Sequence, residues 1–197
     1  MAALALPANL SLITIGGDGA PVWARLFERP IAADHIPFKV RTAADRNLLA
    51  AKLDAAVTGA DRAVLILAEG ASCFATAWWA RLSPRSYVER VAGALFLDPV
   101  DQAPGVPGLL ETFASPRVTL PFPSIVLEGQ AARRTATREV RALALSWGSG
   151  LVASGHADSP LARTKRVIER FTAQVVDHDV QRGEGLLGLG RTRLHGH

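Results

Sequence analysis

A chain of 197 residues with 49% hydrophobic and 20% charged residues suits one globular domain with a sizeable core. No apolar run reaches the roughly 18–20 residues of a membrane span, and the single cysteine, Cys73, excludes an intrachain disulfide. The formal charge is +4, and its excess is late: residues 133–197 hold eleven Arg or Lys against six Asp or Glu. That stretch offers only Trp147 and Phe171 for base stacking, which argues against nucleic-acid binding. An acidic protein partner is the charge-based alternative to a plain solvated basic face. The N-terminus "MAALALPANLSLITIGG" lacks the basic region of a secretory signal, so the expected compartment is a reducing cytoplasm.

In chain order, Leu10–Ile15 reads as a first strand and Pro21–Arg29 as a helix, with Trp23, Leu26 and Phe27 at spacings of three and four. Ala43–Val57 is a second helix, with Leu48, Leu49, Leu53 and Val57 towards one side. Ala63–Ala68 (AVLILA) is apolar throughout, as in a strand buried on both faces. A helix over Ser72–Leu82 follows, then strands at Ala94–Leu97 and Ile125–Leu127. A helix over Arg133–Trp147, a strand at Gly150–Ala153 and a helix over Leu161–Val176 complete the pattern. Strand–helix alternation predicts an α/β fold: a mostly parallel sheet with helices on both faces, in three layers. Residues 99–121, rich in Pro and Gly, predict a long excursion over the carboxyl edge of the sheet, where open α/β sheets bind ligands. One domain is expected over residues 1–181. A loosely ordered, Gly-rich basic tail is expected over 182–197, unless a partner binds Leu186, Leu187 and Leu189.

The segment "LAEGASCFATAWWARL" (67–82) runs from an apolar strand through a small-residue turn straight into a helix. That is the layout of a nucleophile elbow, which lifts one reactive side chain onto a strained apex beside a backbone oxyanion site. Other stretches point the same way: "GGDGAPVWARLFER" (16–29), "LDAAV" (53–57), "RVAGALFLDPVD" (90–101) and "LPFPSIVLEG" (120–129). Together they resemble the small single-domain serine hydrolases of the retinoblastoma-binding type, a compact branch of the α/β-hydrolase fold, over about residues 10–175. The resemblance implies a compact α/β-hydrolase-like sandwich, with Gly17 in the loop that lends an oxyanion N–H.

It also implies a damaged catalytic set. Anchored on Cys73, the family's His-Ser-Leu-Gly-Cys falls on Glu69, Gly70, Ala71, Ser72 and Cys73, which leaves glycine in the nucleophile position. The family's acid, counted without a gap from Ser124, falls at Ala131–Ala132, followed by Arg133 and Arg134. The family's histidine matches His156 in "GHADS" if the loop is three residues shorter; otherwise the position falls on Ser159. A non-catalytic module is therefore expected, binding a protein partner or a small ligand at a pocket of Gly17, Glu69, Gly70, Ala71 and His156. The alternative is an active hydrolase of small esters or amides that uses a rearranged set. Ser72 or Cys73 would be its nucleophile, aided by the helix start, with His156 as base and Asp158 or Glu69 beside it, or Glu69 would itself be a general base working on water without a covalent intermediate. Against this, a free Cys is commonly a small buried hydrophobe, and Glu69 also suits a helix start as a plain electrostatic cap. His156, Asp158 and Glu69 are too few for a metal site, and His35, His178, His195 and His197 are scattered, so no metal or cofactor is expected. "GGDG" fits neither phosphate-loop pattern, and "RTKR" (163–166) reads as an exposed helix face.

Overall fold

The computed structural model describes residues 10–18, 33–99, 113, 118–128, 134–152 and 171. The expected helices at 21–29 and 161–176, the excursion over 99–121 and the tail from 182 lie wholly or almost wholly outside these residues.

Six strands form one sheet: β1 (Leu10–Gly16), β2 (Ala33–Pro37), β3 (Ala63–Glu69), β4 (Val91–Leu97), β5 (Ser124–Leu127) and β6 (Gly150–Val152). Their spatial order is β2-β1-β3-β4-β5-β6, and every neighbouring pair is parallel. Between them run α1 (Ala43–Gly59), α2 (Ser72–Leu82), α3 (Arg85–Val88) and α4 (Arg134–Trp147). The chain first steps outward from β1 to β2, then returns to place β3 on β1's other side and continues away from it. The reversal opens a crevice between the carboxyl ends of β1 and β3, the place where such sheets accept ligands.

The central strands alternate between two apolar layers. Ile13, Ile15, Val64, Ile66, Phe96 and Val126 meet Leu53 and Val57 of α1, Phe74 and Trp79 of α2, and Val140, Ala144 and Trp147 of α4. Leu10, Leu12, Leu65, Leu67 and Leu95 form the other layer, with helical Phe171 packed on it. Burial on both faces is why β3 has no polar alternation. Two elements escape the sequence pattern. β2, Ala-Asp-His-Ile-Pro, is an edge strand whose polar and proline content hides its period. α3 is a single turn after Pro84.

The ends of the helices are defined locally. Thr42 caps α1 by accepting from Asp45 N–H at 3.1 Å, while the Asp45 carboxylate accepts from Thr42 N–H at 2.9 Å, a reciprocal capping box. α4 ends at Gly148 (φ +66°): Gly148 N–H donates to Leu145 O and Ser149 N–H to Ala144 O, which satisfies two of the last carbonyls. The paired tryptophans of α2 divide as adjacent helix residues must. Trp79 is buried and donates from Nε1 to Asp54 at 2.8 Å. Trp78 is half-buried, with the Arg46 guanidinium 4.9 Å above its ring and Phe113 edge-on at 5.9 Å, so it offers no bare apolar face. No helix among the described residues is long and apolar enough to cross a membrane.

Candidate active site at the carboxyl edge

β3 ends at Glu69, and the chain turns at once. Gly70 has φ +59° and lies between the strand and α2, whose N-cap is Ala71. Its N–H donates to Leu97 O on β4 at 2.9 Å, and its carbonyl accepts from Cys73 N–H at 3.1 Å. A left-handed backbone at a strand–turn–helix junction is the conformation of an elbow apex, and it is costly for any residue but glycine. A Cβ added to Gly70 would meet no atom within 4 Å. The apex therefore has room for a side chain and carries none.

Ser72 lies two residues on and is fully buried. Its Oγ accepts from Glu69 N–H at 2.9 Å and lies 2.8 Å from both Ile15 O and Glu69 O, between which its one proton is shared. The hydroxyl thus bridges the ends of β1 and β3 at the base of the crevice instead of facing it. Cys73 is also fully buried, with Sγ 3.3 Å from Ala68 O and 3.7 Å from Leu97 O. Burial pushes its thiol pKa well up, and the negative charges of Glu69 and Asp98 add to the shift. A thiol in that setting stays protonated at neutral pH.

The partly buried Glu69 stands against the β1 loop: a Cβ built on Gly16 would lie 3.9 Å from Glu69 Oε2. Gly17 is exposed at the end of the same loop. Glu69, next to Gly70 and Ala71, therefore meets the end of β1, which Gly17 follows, at the carboxyl edge. Ala131, Ala132, His156 and Asp158 lie outside the described residues.

Two carboxylates join this row that the sequence did not single out. Asp98 N–H donates to Leu127 O and Glu128 N–H to Val152 O, extending the ladder one residue past β4 and β5. The register Glu69↔Leu97 and Leu97↔Leu127 then sets Gly70, Asp98 and Glu128 side by side at the edge. Asp98 also holds a left-handed backbone, φ +44°, beside that of Gly70. Strain of this kind gathers at functional sites. Among the described residues no three His, Cys, Asp or Glu side chains are placed to hold a metal ion.

The family model for serine hydrolases matches residues 19–159. The chain belongs to the serine hydrolase family. Among solved structures it is similar to a protein described as a YdeN-like hydrolase from Pectobacterium atrosepticum, at 13% identity. The match covers 85% of this chain and 92% of that one with a TM-score of 0.59, and at that identity it speaks for the fold alone. No curated protein matches the sequence.

Proposed function

We propose that this chain is a serine-hydrolase-family protein of the retinoblastoma-binding type that has given up covalent catalysis and holds a small carbonyl-bearing ligand in the crevice between β1 and β3. The observation that carries the reading is Gly70 at the left-handed apex, with open space where a nucleophile's side chain would stand. An acyl-enzyme needs an oxygen or sulfur there. The two neighbouring candidates are spoken for, Ser72 by the strand ends it links and Cys73 by burial that keeps its thiol neutral. What remains is the binding half of the elbow. The Cys73 and Phe74 N–H groups are taken by the Gly70 and Ala71 carbonyls, which leaves those of Ala71 and Ser72 at the helix start for a ligand oxygen. Losing the nucleophile removes most of the rate and leaves this binding contribution.

Hydrolysis of p-nitrophenyl butyrate tests the reading. The wild-type chain should turn the ester over at the buffer rate, and saturable turnover that disappears in Ser72→Ala would overturn the proposal in favour of the rearranged set.

A second reading, an acidic protein partner, is favoured by the outer face of α4. Arg138, Arg141 and Leu145 are all exposed at helical spacing, Leu145 by 75%. Capture of such a partner should weaken with added salt and be lost in a double Arg138→Glu, Arg141→Glu chain.

A further inference from the structure

The loop after β1 is tied to the end of β2 at three successive residues. Phe38 N–H donates to Gly16 O at 2.7 Å. His35 Nε2 lies 3.2 Å from Gly17 O. Lys39 Nζ lies 3.0 Å from Asp18 Oδ2. The other ring nitrogen of His35, Nδ1, lies 2.9 Å from Oγ1 of Thr14, a fully buried residue of β1.

These contacts choose a tautomer. A carbonyl can only accept, so Nε2 carries the proton that goes to Gly17 O, and Nδ1 accepts the hydroxyl proton of Thr14. In this neutral form both partners are satisfied.

They also choose a direction. No peptide bond among the described residues is cis, and in a trans peptide the C=O and the following N–H point opposite ways. Gly16 O and Gly17 O are both drawn towards β2. The Gly17 N–H therefore points away from Phe38 and the Asp18 N–H away from the His35 ring, and the strand on the other side of β1 is β3. Gly70 follows β3 directly.

We propose that His35 is a positioning residue. Its Nε2–H fixes the Gly17–Asp18 peptide so that the Asp18 N–H, beside that of Gly17, faces the crevice and receives a ligand's carbonyl oxygen. Phe38 sets the preceding peptide through its own N–H, and Lys39 holds the Asp18 carboxylate on the β2 side. This inference rests on the ligand-binding reading above and adds the residue that shapes the seat.

The test is backbone amide NMR on the full chain with butyramide as the probe, a small neutral carbonyl compound. In the wild type, butyramide should shift the Gly17, Asp18 and Ala71 amide signals, and the His35 ring should show the Nε2–H tautomer in its nitrogen shifts. In His35→Ala the Ala71 response should persist, the Asp18 response should vanish, and apparent affinity should fall about three- to tenfold, the scale of one hydrogen bond. His35→Gln, whose side-chain NH₂ can reach the same carbonyl, should restore the Asp18 response. An Asp18 response unchanged in His35→Ala would overturn the role of His35 and leave the ligand site standing. No response at any amide in the wild type would overturn both.

Discussion

At the scale of single residues, the site turns on two small side chains with opposite duties. Gly70 supplies a backbone shape, and Ser72 supplies a link. Gly70→Ala adds a methyl group that meets nothing but must sit at φ +59°. We expect it to fold with a loss of about 1–2 kcal/mol in denaturant titration, the cost of a left-handed backbone for an L-residue. Ser72→Ala breaks the bridge between Glu69 N–H and Ile15 O inside a buried crevice. It should cost about 1–3 kcal/mol, more than a serine facing solvent would. A Ser72→Ala chain as stable as the wild type would return that hydroxyl to the list of free nucleophiles. Cys73 gives a pH test. Its folded-state pKa is raised, so the thiolate that forms in the unfolded chain above the reference value of 9.0 is disfavoured in the fold. Stability should hold below pH 9 and decline as pH rises beyond it, and Cys73→Ala should flatten that decline.

At the scale of elements, the helix ends make separable contributions. Thr42→Ala removes the cap of α1 and should lower stability by about 1 kcal/mol in thermal or denaturant melts. Its partner Asp45 titrates below the usual 3.8, chiefly because the Arg41 N–H donates to its carboxylate, with the Thr42 side chain next. A depressed carboxyl pKa stabilises the fold above the unfolded value and stops doing so as pH falls through the folded one. The capping contribution should therefore be intact at neutral pH and fade below about pH 3.8. At the end of α4, Gly148→Ala meets two obstacles, a left-handed φ and the Thr119 Cγ2 atom 2.9 Å from the new methyl. It should destabilise more than Gly70→Ala, where only the first applies.

At the scale of the molecule, the sequence and the fold inform each other unevenly. The apolar runs of β1, β3 and β4 and the helix over 72–82 are legible because burial on both sheet faces leaves no room for polar residues. The glycine in the elbow was legible through resemblance, and the structure gives it the φ of an apex. β2 was not legible, since an edge strand need not keep its period. For the same reason neither was the triple attachment of the β1 loop, which depends on which residue of β2 lies opposite Gly16. Asp98 and Glu128 are not legible as site residues because each looks like an ordinary polar residue after an apolar run. Only the inter-strand register places them in the row of Gly70.

The central claim is that the elbow of this serine-hydrolase fold presents no nucleophile. Its most direct test is the intact mass of the native full-length chain after treatment with a fluorophosphonate, a reagent that phosphonylates activated serines. The account predicts an unchanged mass at reagent levels that fully modify an active serine hydrolase. A single adduct mapped by peptide sequencing to Ser72, or to any other side chain at the carboxyl edge, would contradict it.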